Sequence, residues 1–174
     1  MNGKSHILTY PDPFLKKPTA PVENVDGALQ DTIERMGTIM YEAPGVGLAA
    51  IQVGIGRSFL VYDVVHSSGE GRQLEALVNP RIVEMEGTAI SEQEGCLSVP
   101  DFRSDVKRAQ RILVEGFDRH GEPLCFEADG FKAVVLQHEI DHLNGRLFID
   151  RISSLKRQIY KRKRRKQLRP PSDG

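Results

Sequence analysis

Two histidines one helical turn apart, His138 and His142, lie in a segment with a clear helical pattern. Between residues 130 and 144 the apolar residues recur every three or four positions, which predicts a helix with a buried face. Side chains at i and i+4 share one face, so both imidazoles can reach a single cation. Glu139 would then lie beside that cation without binding it, placed to move a proton. The pattern predicts a metal site on a central helix; the alternative is a pair of hydrogen-bonded core histidines.

The third protein ligand of such a site has to come from upstream. A catalytic metal usually has three protein ligands and one open position. No Glu occurs after residue 139, and position 148, where some metallopeptidases place a third His, is Phe148. The upstream candidates are Cys96, Cys125, His120, His66 and His6. We favour Cys96 because Gly95 lets the backbone approach a bound group, whereas Cys125 lies in an alternating strand pattern and His120 at a turn tip. A thiolate and two imidazoles can bind zinc, iron(II), cobalt or nickel.

Composition excludes several other classes of protein. With 39% hydrophobic residues and two Cys, the chain is neither a disordered protein nor a disulfide scaffold. No apolar run approaches the ~18 residues of a membrane span, and the N-terminus has no signal-peptide pattern. We therefore expect a cytoplasmic protein with reduced cysteines and no membrane partner.

The order of the predicted elements indicates an α+β fold. Short antiparallel strands are expected around a central metal-binding helix, with a basic helix at the C-terminus. The predicted elements are a proline-rich strap over 1–24, a helix over 26–42, a loop and short strand over 45–54, strands over 59–65 and 76–85, a hairpin over 111–128, a helix over 130–144 and a tail helix from 153 or 154 to 170.

Charge is divided unevenly along the chain, although the formal net charge is zero. Residues 151–169 carry ten Lys and Arg and no acidic residue, whereas residues 1–150 carry 14 basic and 23 acidic residues. We therefore expect a catalytic domain over 1–150 and a basic helical tail over 151–174. The tail predicts a polyanionic partner such as RNA; the alternative is a solvated terminal helix whose only early apolar pair is Leu155 and Ile159.

Three segments together resemble the peptide deformylase family. Residues 45–52 fit its GxGLAAxQ motif, residues 94–98 fit EGCLS, and residues 137–145 fit HExxHLxG. The motifs appear intact and in order, and the resemblance extends over roughly residues 5–150. It implies that Cys96, His138 and His142 bind one divalent metal ion, typically Fe2+, with Zn2+, Ni2+ or Co2+ as substitutes.

The resemblance also implies a reaction and the residues that perform it. The enzyme would remove the formyl group from the N-terminal formylmethionine of nascent polypeptides and release formate. Metal-bound water would be the nucleophile and Glu139 the general base and acid. The side-chain amide of Gln52 and the backbone N–H of Leu97 would stabilise the oxyanion. Without the family match, a glutamine near a strand edge is more typically a solvated residue.

Substrate contacts follow from the same resemblance. The residues implied are Gly45, Val46, Gly47, Glu94, Arg103, Phe131, Val134 and Val135. As alternatives, the glycines can be ordinary turn residues, the apolar side chains ordinary core, and the arginine a solvated residue. The family often has an apolar residue just before EGCLS, whereas residues 91–93 here are Ser-Glu-Gln. We therefore expect a more open pocket mouth.

Nascent chains emerge from the ribosome, so the basic tail is expected to bind ribosomal RNA or a ribosomal protein near the exit tunnel. Two other functions remain open on the sequence. One is a small metallopeptidase, which the missing downstream ligand disfavours. The other is an RNA-binding or ribosome-binding protein with a structural metal, which predicts that Glu139 is dispensable.

Overall fold

A computed structural model describes residues 6–171 and confirms the α+β fold, with antiparallel strands and a C-terminal helix. The helices are α1 (Gly27–Glu42), α2 (Gly130–Leu143) and α3 (Ser154–Gln167). The strands are β1 (Gly47–Ala49), β2 (Phe59–Tyr62), β3 (Glu75–Glu86), β4 (Ala89–Cys96), β5 (Val99–Arg108), β6 (Arg111–Phe117) and β7 (Pro123–Asp129). A five-stranded antiparallel sheet has the order β1-β2-β3-β6-β7, and β4 and β5 form a separate two-stranded sheet.

The five-stranded sheet is covered by one helix on each face. Successive side chains of a strand point to opposite faces of the sheet. Because both faces are covered, all four residues of β2 are buried. Leu60 packs in the cluster that contains Leu136 of α2, whereas Val61 packs in the cluster that contains Ile33 of α1. The sequence predicts both helices closely, and Asp26 caps α1 by accepting a hydrogen bond from the Leu29 amide at 3.0 Å.

Helix α2 lies in the centre of the molecule. Ten of its 14 residues are buried, including all five from His138 to His142, so its polar side chains interact in a medium of low dielectric. Its C-terminal stop is Gly145, as predicted, with φ of 73°. A Cβ there would approach the Lys16 carbonyl oxygen to 2.5 Å, so only glycine fits.

Residues 6–24 run as a strap along two segments of the predicted site, whereas residues 1–5 of the predicted strap lie outside the described residues. The Leu8 amide donates to the Gln52 carbonyl oxygen at 2.7 Å, and the Tyr10 amide donates to the Ser98 carbonyl oxygen at 2.7 Å. These bonds fix the backbones of two of the three motif segments. The strap therefore positions residues that are more than 40 positions away in sequence.

Three elements differ from the sequence prediction. Strands β4 and β5 have no counterpart among the predicted elements, because only Glu94 of β4 and Val99, Ser104, Val106 and Arg108 of β5 are buried in these polar stretches. Helix α3 packs against the body through Tyr160, which is 1% exposed and lies 4.8 Å from the Phe102 ring, centroid to centroid. The expected apolar pair of the tail, Leu155 and Ile159, is exposed instead.

No helix within residues 6–171 combines the length and the hydrophobicity that a membrane span requires.

Candidate metal centre

Cys96, His138 and His142 converge at the junction of β4 and α2. One donor atom from each lies within 4.8 Å of the other two, and the Cys96 Sγ is 3.3 Å from the His142 Nε2. With metal–sulfur and metal–nitrogen bonds of about 2.3 and 2.0–2.1 Å, tetrahedral donors lie about 3.3–3.7 Å apart. The three side chains therefore fit one cation.

The other upstream candidates lie outside this cluster. Cys125 is exposed on β7, and His120 is exposed in the turn between β6 and β7. Among the residues that the structure describes, Cys96, His138 and His142 are the only group of three or more His, Cys, Asp or Glu whose ligand atoms converge in this way.

Burial sets the charge state of His142. Its side chain is fully buried, and burial together with the neighbouring His138 holds its pKa well below the usual histidine value. A neutral imidazole is the form that binds a metal. The buried Nδ1 of His142 has no hydrogen-bond partner among the described residues.

His138 is oriented by a buried carboxylate. Glu94 Oε1 lies 2.6 Å from the His138 Nδ1, which leaves the Nε2 free to face a cation. Burial alone would raise the pKa of Glu94, but the hydrogen bonds from His138 and Arg108 outweigh it and lower that pKa to about 2. The sequence places Glu94 among the substrate contacts, and it does line the cavity described below. Both of its oxygens, however, are bound within the protein.

Glu139 lies in the same site with one oxygen free. It is 5% exposed, and burial raises its pKa to about 7. Its Oε2 has no partner among the described residues. Its Oε1 lies so close to the backbone of Gly47 that a Cβ there would be 2.7 Å away. The carboxylate is thus held in place and able to exchange a proton near neutral pH.

The side-chain amide of Gln52 faces the cluster formed by Cys96, His138 and His142. It lies on a short 3-10 turn, Ala50–Val53, where its Oε1 accepts from the Ala49 amide at 2.9 Å. Its Nε2 donates to the Ser98 Oγ at 3.0 Å and lies 3.8 Å from the Cys96 Sγ. Because one N–H of the amide is used by Ser98, the other is directed toward the cluster of donor atoms. Leu97 follows Cys96 in the turn that joins β4 and β5.

An open cavity of about 790 Å³ connects the site to solvent. Every substrate contact that the sequence predicts lines it: Gly45, Val46, Gly47, Glu94, Arg103, Phe131, Val134 and Val135. Gln52, Cys96, Leu97, His138 and Glu139 line it as well, whereas His142 lies behind them. Ser91, Glu92 and Gln93 line it too and are polar.

Four residues around the site are missing from the sequence prediction: Ser98, Arg108, Asp141 and Arg151. Ser98 orients Gln52 by accepting a hydrogen bond from its side-chain amide. Ser98 belongs to the same motif as Cys96, so its closeness to Cys96 in sequence could have identified it as a site residue. Arg108 and Asp141 form an ion pair across 33 positions of sequence, and the sequence holds no signal for that pairing.

Comparison with known proteins identifies the family of this chain. The family model described as polypeptide deformylase matches residues 4–158. The chain is 52% identical to the peptide deformylase of Desulfosudis oleivorans over 163 residues, 94% of each chain. It is 50% identical to that of Syntrophobacter fumaroxidans, over 94% of this chain and 95% of the relative.

Solved structures agree. A peptide deformylase from Legionella pneumophila has a TM-score of 0.84 and 43% identity, covering 94% of this chain and 98% of that one. A peptide deformylase from Ehrlichia chaffeensis in complex with actinonin has a TM-score of 0.86 and 37% identity, covering 94% and 97%.

Proposed function

The chain belongs to the peptide deformylase family, and from that premise we propose which of its residues perform the reaction. It is a metal-dependent enzyme that removes the N-formyl group from nascent peptides. The observation that carries our assignment is the convergence of Cys96, His138 and His142 beside Glu139, a buried carboxylate with a free oxygen.

We propose Cys96, His138 and His142 as the metal ligands. A divalent cation bound there supplies a water with a pKa of about 7 and polarises the formyl carbonyl. We propose Fe2+ as the physiological ion, with Zn2+, Ni2+ or Co2+ as substitutes, because the donor set suits all four and the family typically uses iron. Metal analysis after anaerobic purification should give close to one iron per chain; zinc alone would contradict this assignment.

Glu139 acts twice in the proposed mechanism. Its Oε2 accepts a proton from the attacking water, whose oxygen forms a bond to the formyl carbon. The same carboxyl group then gives a proton to the amine nitrogen as the carbon–nitrogen bond breaks, so that formate and a free N-terminus are released. A pKa near neutrality suits a group that must both take and give a proton.

Gln52 and Leu97 stabilise the charge that develops on the formyl oxygen. The Nε2 of Gln52 and the backbone N–H of Leu97 donate hydrogen bonds to it. Because Ala49 and Ser98 already hold the Gln52 amide, little reorganisation is needed during the reaction. Loss of one such donor typically lowers the rate by ~10²–10³.

The cavity offers a path for an extended peptide and a pocket for its first side chain. We propose that backbone at Gly45 and Gly47 pairs with the peptide, since the missing side chains let a strand approach. Val46, Phe131, Val134 and Val135 would then contact the methionine side chain, and Arg103 the peptide backbone beyond it.

Formate release from synthetic peptides tests this function. Protein purified anaerobically, or loaded with cobalt, should release formate from formyl-Met peptides and no acetate from acetyl-Met peptides. Internal peptide bonds should stay intact, which separates a deformylase from a metallopeptidase. Absence of formate with both metals would refute the assignment.

Gly47→Ala should lower kcat strongly without unfolding the protein. The new Cβ would lie 2.7 Å from Oε1 and 2.9 Å from Cγ of Glu139, so the carboxylate has to move. A displacement of about 1 Å in a catalytic group can cost 10²-fold in rate. Steady-state deformylation measures the effect. Gly27→Ala is the matched control because nothing lies within 4 Å of its Cβ; equal activity of the two variants would contradict the close contact.

We propose that α3 binds ribosomal RNA or an adjacent ribosomal protein, in the cytoplasm, while the body performs catalysis. The helix packs through Tyr160 and Arg164, whose guanidinium donates to the Tyr10 carbonyl oxygen at 2.9 Å. Leu155, Ile159, Arg162 and Lys166 follow one another at helical spacing on its exposed side. The first turns of α3 expose apolar side chains, which suit contact with a protein. The later turns expose basic side chains, which suit contact with RNA phosphates.

Replacing Arg162, Arg165 and Lys166 with Gln should weaken salt-sensitive co-sedimentation with ribosomes. Three fewer phosphate contacts should reduce the slope of log affinity against log salt by about two to three. Hydrolysis of free peptides should stay unchanged, since these side chains lie away from the cavity. These substitutions are preferable to truncation after residue 150, which would also remove the buried Tyr160. Unchanged co-sedimentation would refute the proposed role.

A further inference from the structure

A continuous set of charged side chains begins at the metal-ligand candidate His138 and is buried except at its outer end, Arg151, whose side chain is 34% exposed. Glu94 accepts from its Nδ1 and is itself bound by Arg108, whose Nη2 and Nε lie 2.5 and 3.2 Å from the two Glu94 oxygens. The Nη1 of Arg108 donates to Asp141 Oδ2 at 2.7 Å. The Arg108 side chain is 1% exposed, so these contacts are shielded from water.

Arg151 completes the set from the start of the tail. Its Nε lies 2.5 Å from Oδ2 and its Nη2 2.6 Å from Oδ1 of Asp141, which is a two-point contact between guanidinium and carboxylate. Direct hydrogen bonds therefore join Arg151 to His138 through Asp141, Arg108 and Glu94. This set links the first residue after the catalytic body to a side chain of the metal site.

Charge balance shows what Arg151 contributes. Glu94 and Asp141 are two buried carboxylates, and Arg108 is a single cation between them. With Arg151 present, two cations face two anions. Without it, Arg108 alone would have to compensate both carboxylates, and an uncompensated buried charge is strongly unfavourable. Arg108 would then shift toward Asp141, and its hydrogen bonds to Glu94 would weaken.

We propose that Arg151 is a positioning residue for the metal site: by neutralising Asp141 it leaves Arg108 free to hold Glu94, which in turn orients His138. This inference rests on the proposed metal ligands. Residues that orient a metal-binding histidine typically contribute 10–100-fold to metal affinity or activity. Loss of the Arg151 charge should therefore accelerate metal release.

The test measures zinc release from the full-length, zinc-loaded protein after addition of an excess of chelator. Arg151→Met keeps most of the stem and removes the charge, and it should release zinc faster than the unaltered protein, by at most the ~10–100-fold that loss of a direct histidine partner typically costs. Arg151→Lys keeps the charge without the two-point contact, and its zinc-release rate should lie between the rates of Arg151→Met and the unaltered protein. Arg146→Met is the matched control, because that exposed arginine forms no ion pair among the described residues.

Thermal unfolding of the metal-free proteins separates positioning from general stability. A lower Tm of metal-free Arg151→Met with an unchanged zinc-release rate would overturn the proposal, as would equal release rates for all four proteins. If Arg151→Met fails to fold, the release rate of Arg151→Lys decides in the same way. Failure of the unaltered protein to bind one zinc per chain would refute the metal ligands themselves, which distinguishes that failure from a failure of this inference.

Discussion

Glu139→Ala is expected to abolish most turnover while the metal stays bound. The carboxylate is buried, close to Cys96 and His138, and its Oε2 is free. No other side chain within residues 6–171 that lines the cavity combines burial, a free oxygen and a pKa of about 7. General acid–base catalysis typically contributes 10²–10⁴-fold, so kcat should fall by about that factor.

Metal content and formate release of the same preparation measure this result. Glu139→Gln keeps the shape of the side chain but cannot exchange the proton, and it should be as inactive as the alanine variant. Glu70→Ala, an exposed position before β3, serves as the control. Retention of more than about a tenth of the activity in both Glu139 variants would contradict the assigned role. A fully active, metal-loaded Glu139→Ala would instead favour a structural metal.

Cys96→Ala should lose the metal, whereas Cys125→Ala should retain it. The Cys96 Sγ lies with the two histidine nitrogens inside a cluster 4.8 Å across, and it is the only sulfur donor of that cluster. Cys125 is exposed on β7 and belongs to no such cluster. With one of three protein ligands removed, the site lacks the donor set that a catalytic cation needs. Deformylation should then fall by at least as much as in Glu139→Ala.

Metal analysis of the two variants, purified side by side, gives the result directly. Cys125→Ala controls for the loss of a thiol in general. Cys96→Ser tests the donor atom with nearly the same volume, and it should bind metal more weakly than the unaltered protein because a hydroxyl is a poorer ligand than a thiolate. Equal metal content in Cys96→Ala and Cys125→Ala would refute the ligand assignment.

Features that depend on local sequence were predictable. Apolar periodicity alone predicts helix α2, and therefore places its two histidines one turn apart. Gly145 ends the helix as expected, since it adopts a positive φ. The residues themselves favoured Cys96 as the third ligand and the family motifs then pointed to Gln52; the structure brings both to one cavity. Their chemical roles remain predictions until the variants are measured.

Features that depend on distant pairing were not predictable. Strand β5 is polar and is stabilised by its pairing with β4. Its own residues therefore show little of the hydrophobic pattern that predicts a strand. Helix α3 docks through Tyr160, which packs with Phe102 and Phe148, and through Arg164, which donates to the Tyr10 carbonyl oxygen; these partners are distant in sequence. The sequence carries no signal for the roles of Arg108 and Arg151, because only the fold shows that they face Glu94 and Asp141.

X-ray absorption at the zinc edge of the zinc-loaded protein tests the central claim most directly, namely that one ion held by Cys96, His138 and His142 serves the reaction. We predict one sulfur at about 2.3 Å and two imidazole nitrogens at about 2.0–2.1 Å, with one further oxygen ligand. The sulfur contribution should disappear in zinc-loaded Cys96→Ser, the variant that keeps weaker metal binding. A first shell of nitrogen and oxygen only in the unaltered protein, or a sulfur shell that persists in Cys96→Ser, would contradict the account.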